Sequence, residues 1–118
     1  MNEPKSVREM VESMQLECRN SPDLFPERAA EMLVQLSSLL GNCNDEILKR
    51  DMEYSKILLL WLEKESKANR AKITAETTKE YEARCIARNT KELAVELIRS
   101  LKYYLKSKEE ELQKAKYQ

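Results

Sequence analysis

The chain has no histidine, a single glycine, three prolines and one phenylalanine among 118 residues. Without imidazole it lacks the commonest general base and metal ligand, and every catalytic triad built on histidine. The Glu-x-x-His motif of di-iron bundles is excluded for the same reason. One glycine rules out a glycine-rich phosphate loop. With only three prolines as well, little of the turn chemistry that sheets require is left, and 36% of the residues are charged, so the fold class expected is all-α. Cys18, Cys43 and Cys85 form no C-x-x-C pair and have no histidines to complete a zinc site. An odd, scattered set is no disulfide framework, and these read as reduced thiols.

Long apolar runs are absent too. The longest, Ile57 to Leu62, falls far short of the roughly 20 residues a membrane span needs, and the polar start MNEPKSVREM has no apolar region of a secretory signal. The expected compartment is the cytoplasm, with no membrane partner. Lysine plus arginine and aspartate plus glutamate number 21 each, so no net field draws the whole molecule to nucleic acid.

The residues present are those of helices, and at this size they make one domain, 1–118, with one modest core. Ser6-Val7-Arg8-Glu9 has capping-box spacing. After it Val7, Met10, Val11, Met14 and Cys18 recur at helical spacing, which predicts a short helix over about 6–19 ended by Asn20-Ser21-Pro22-Asp23. Pro26 suits a first helical turn and Gly41 a C-terminal cap. They bracket a second short helix over about 26–40, whose apolar stripe includes Ala29, Met32, Leu33, Leu36, Leu39 and Leu40. A loop through Gly41-Asn42-Cys43-Asn44 then leads to a helix capped by Asn44 or Asp45.

From Asp45 onward there is no glycine or proline, and helix is the default to about residue 116. Ile47, Tyr54, Leu58 and Trp61 share one side, and Leu48, Met52, Leu59 and Leu62 widen it. A helix apolar almost all round belongs at the centre of a structure. The stretch EKESKANRAKITAETTKE (63–80) has only Ile73 to bury. Its TAETT patch is poor helix, and Thr77 with Glu80 repeats the capping-box spacing. A reversal or kink near 73–79 lets the leucine-rich flanks cover each other. The alternative is one rod, on the order of 105 Å long, which only an oligomer would bury.

Ala83, Ala87, Thr90, Ala94, Leu97, Leu101 and Tyr104 then step alternately by four and three, a heptad seam broadened by Ile86, Leu93, Ile98, Leu105 and Leu112. So wide a seam suits a bundle more than a two-stranded coil. Its apolar area looks greater than two short helices can cover, which marks Leu93, Leu97, Ile98, Leu101, Tyr104 and Leu105 as an interaction surface for self-association or a protein partner. Beside it, Arg84, Arg88, Lys91, Arg99, Lys102 and Lys106 lie within a sector of about 90°, a stripe able to track phosphates. Glu80, Glu92, Glu96, Glu109 and Glu110 stand at pairing distance along the same helix, so a solvated, self-paired face is the competing reading. Trp61 and Tyr104 are in phase with apolar faces, and Tyr81 and Tyr103 lie off the seam, better placed for contact.

The block KANRAKITAE through ELIRSLKYYLKSKEEE resembles stretches of small all-helical accessory proteins of bacteriophages and prophages. The resemblance implies a non-enzymatic role in the host cytoplasm, such as assisting replication or blocking a competing factor, and carries over no functional residue. No catalytic constellation, cofactor site or metal site can be assembled from these residues. The reading is therefore a helical interaction module that forms a homo-oligomer or binds a protein partner, with a nucleic-acid accessory protein as the alternative.

Overall fold

A computed structural model describes residues 5–117, and the two ends of the expected domain, 1–4 and 118, lie outside it. The described residues form four helices, α1 (Val7–Asn20), α2 (Pro26–Lys64), α3 (Ala68–Ala75) and α4 (Lys79–Tyr117), with no strand among them. The fold is all-α. None of the helices is long and apolar enough to cross a membrane.

Ser6 starts α1 as its spacing predicts: its Oγ accepts the Glu9 N–H at 3.1 Å and donates to Glu9 Oε1 at 3.2 Å. Pro26 occupies the first turn of α2, where its missing N–H costs nothing. The expected stop at Gly41 does not occur. α2 runs 39 residues through it, about 58 Å at 1.5 Å per residue, and no described residue has positive φ. The pair of short N-terminal helices is thus one short helix and one long one. Glycine weakens a helix without breaking it, by about 1 kcal/mol relative to alanine, and the buried Leu36, Leu39, Cys43 and Tyr54 on either side hold the two halves in line.

The chain reverses where the sequence is poorest in apolar residues. α2 ends at Lys64, the short α3 buries only Ala71 and Ala75, and a turn over Glu76–Thr78 leads into α4. The cap of α4 is Thr78 rather than Thr77. Thr78 Oγ1 accepts the Tyr81 N–H at 3.3 Å, while Thr77 Oγ1 donates to the Thr74 carbonyl at 2.7 Å.

Contacts between the long helices descend along α2 as they ascend along α4. Tyr54 meets Tyr81, with ring centroids 5.4 Å apart. Asp51 meets Arg84 and Arg88, and Leu24, just before α2, accepts a hydrogen bond from the Tyr104 hydroxyl. α2 and α4 are therefore antiparallel. α1 lies against both, its Arg8 bonded to Asn89 and Thr90 of α4 and its Glu17 to Arg28 of α2. The core lies in this three-helix section, where Val11 and Met14, Met32 and Leu36, and Ala94, Ile98 and Leu101 form one buried cluster.

Candidate interaction surface

The seam of α4 singled out above faces inward. Ile98 and Leu101 are buried, and Leu93, Leu97, Tyr104 and Leu105 are partly buried and pack against the same cluster. α1 and the N-terminal half of α2 cover it, because α2 is more than twice as long as expected and lies antiparallel to α4, and α1 runs alongside α4. Ala87, Thr90 and Ala94 are also buried. Thr90 donates to the Ile86 carbonyl at 2.7 Å and accepts from Arg8 at 3.3 Å, so its hydroxyl needs no outside partner. As an interaction surface these six residues are largely used up within the chain.

The exposed apolar face is on α2. The residues expected to widen its buried side point away from it: Leu48 is 62% exposed, Met52 55% and Leu59 60%, with Leu62 also exposed. Val34, 68% exposed, lies on the same side. These five fall on one register of alternating four- and three-residue steps, which Ser38, Gly41, Asp45 and Ser55 complete. The register spans 34 to 62, about 42 Å of helix. The sequence reading misses it because a helix end at Gly41 cuts the repeat in two. The alternation across that glycine was the signal. At about 100° per residue this register lies nearly opposite Leu36, Cys43 and Tyr54, all buried, so the core cannot reach it.

The basic stripe divides. Arg84 Nε and Arg88 bond to Asp51 Oδ1 and Oδ2, each at 3.0 Å, and the two guanidiniums, Arg88 foremost, hold the Asp51 carboxyl below the usual carboxylate range. The Arg84 guanidinium also sits 4.9 Å from the centre of the Tyr54 ring, on a tyrosine already packed against Tyr81. Arg84, Arg88 and Tyr81 thus fasten α2 to α4. Lys91, Arg99, Lys102 and Lys106 make no ion pair among the described residues. Tyr103 stands exposed beside them, whereas Trp61 and Tyr104 are half-buried.

A groove of about 630 Å³ opens between the start of α1, the middle of α2 and α4, with Val7, Met10, Cys43 and Ala87 among its apolar lining. Its arginines are already engaged, Arg8 with Glu12 and Arg50 with Glu46 and Glu53. No buried side-chain polar atom of the described residues lacks a hydrogen-bond partner, and no three histidine, cysteine or acidic side chains among them group to hold a metal. Burial pushes the thiols of Cys43 and Cys18 up, which keeps both protonated and poor as nucleophiles. Comparison with protein-family models, with curated proteins and with solved structures finds no match for this chain.

Proposed function

We propose that the chain is a non-enzymatic helical module of the cytoplasm that works by protein–protein contact, and that it makes this contact with the outer face of α2. The observation that supports the reading is the run Leu48, Met52, Leu59 and Leu62, large apolar side chains exposed in line on the side of α2 away from the core. Such a run costs solubility unless something covers it. The arginines of the groove are held in ion pairs with Glu12, Glu46 and Glu53. The phage-type accessory role implied by the C-terminal half is one setting in which such a module would serve.

The test is a double substitution, Leu48→Glu with Leu59→Glu. Both sites are exposed, so the thermal midpoint of the dilute protein stays within a few degrees. Association seen in light scattering over a range of concentrations, or binding of an apolar dye, is lost. A wild-type chain that neither associates nor binds the dye overturns the reading.

A second reading, a nucleic-acid accessory protein, draws support from Lys91, Arg99, Lys102 and Lys106, cations with no ion-pair partner among the described residues. It requires binding that weakens steeply with salt. Arg99→Glu with Lys102→Glu removes retention of DNA or RNA if the stripe binds phosphates, and leaves it unchanged if the stripe is a solvated face.

A further inference from the structure

Resting on the reading of α2 as the contact face, we propose that its occupant is a second copy of the same chain, with the two α2 helices packed antiparallel, outer face to outer face, about a twofold axis between Leu48 and Met52.

Gly41 is the starting point. A glycine inside a helix costs about 1 kcal/mol relative to alanine, yet nothing among the described residues requires one here. Its φ is not positive, and a Cβ built on it meets no atom within 4 Å. Neither a turn nor a close neighbour in the same molecule explains the missing side chain. A large side chain arriving from outside does.

The register of the outer face supplies that side chain. In an antiparallel pair centred between Leu48 and Met52, Gly41 of one copy lies opposite Leu59 of the other, and the twofold repeats the contact at the far end. Leu48 of each copy meets Met52 of the other near the axis. Asp45, the one acid within the register, falls beside Lys56 of the second copy, so each charge has an opposite partner and the pair occurs twice. Lys49, which flanks the register next to Leu48, has Asp45 and Glu53 of its own helix four residues to either side.

A parallel pair fails on the same residues. It sets Gly41 against Gly41, leaving a hole, and Asp45 against Asp45, placing like charges together. Charge and volume therefore select both the partner and its direction. The same interface is isologous, which closes at two copies rather than growing into a fibre.

The experiment is mass by light scattering and sedimentation equilibrium across a wide concentration range on five proteins, the wild type and four variants. Wild type is expected to be a dimer. Gly41→Leu, which fills the hole, is expected to be a monomer, and its thermal midpoint at low concentration should not fall, since leucine favours helix and the site is open. Asp45→Lys alone should weaken the dimer at least about tenfold by opposing Lys56, and Asp45→Lys combined with Lys56→Asp should restore it. A dimer that survives Gly41→Leu, or a charge swap that does not rescue, overturns the proposed register while leaving α2 as a contact face. A wild-type monomer that binds apolar dye at the Leu48 and Leu59 face overturns self-pairing and leaves that face for a different protein. A dimer unaffected by Leu48→Glu with Leu59→Glu overturns both this proposal and the reading beneath it.

Discussion

Asp51 carries more of the long-range structure than its exposure suggests. It receives two arginines from α4, and one of these, Arg84, also covers the Tyr54 ring. Its depressed pKa makes the contribution dependent on pH. A carboxylate whose folded pKa lies below its unfolded value stabilises the fold fully above about pH 4 and stops doing so as pH falls through the folded value. Glu17, lowered by its hydrogen bonds from Arg28, adds to the loss with the same sign. Asp51→Asn is therefore expected to cost about 0.5–1 kcal/mol at pH 6, a modest figure because the site is partly solvated, and the difference from wild type should shrink in urea titrations repeated down to pH 2. The core answers more strongly. Met32 is fully buried and Val34, two residues on, is exposed. Met32→Ala should cost about 2–5 kcal/mol and Val34→Ala less than about 0.5, measured in dilute protein by the same titration.

At the scale of elements, α2 shows what one glycine can and cannot do. In dilute solution Gly41→Ala should stabilise the chain by about 0.5–1 kcal/mol, because alanine restricts the unfolded chain and its methyl meets nothing. Denaturant midpoints read this directly. The sequence made the helix starts legible at Ser6 and Pro26, since capping oxygen and ring geometry act within a few residues. It also made legible the reversal after the leucine-rich stretch, since residues 63–80 have almost nothing to bury. It did not fix the fate of Gly41. Local preference there amounts to about 1 kcal/mol, and packing on both sides of the site decides the outcome. Nor did it show which face of α2 is inside, because Tyr54 on one side and Leu48 with Met52 on the other are both apolar. Only the position of α4, fastened by Asp51 and Tyr54, separates the buried set from the exposed one. The expected helix end at Gly41 also puts the contact surface on Leu97 and Leu101, since two short helices cannot cover their seam, whereas the full-length α2 and α1 do.

The molecule as a whole is elongated, 74 Å by 37 Å by 22 Å, and the antiparallel offset explains why. Leu24 meets Tyr104, and α2 begins two residues later at Pro26. Among the described residues no helix lies opposite the part of α4 beyond that point. Residues 109–117 are all exposed, Leu112 and Tyr117 among them. This end is held by helix propensity and by i,i+3 pairs such as Lys108 with Glu111, each worth only about 0.2–0.5 kcal/mol. A helix without tertiary cover at its end frays. Amide exchange should accordingly be near the unprotected rate over 109–117 and slowest around Ala94, Ile98 and Leu101, which lie in the three-helix core. A chain ending at Lys108 should keep the stability of the full one to within about 0.5 kcal/mol, since it loses no buried contact. Protection over 109–117 that appears only at high protein concentration would show that a second molecule reaches this end of α4 as well as the outer face of α2.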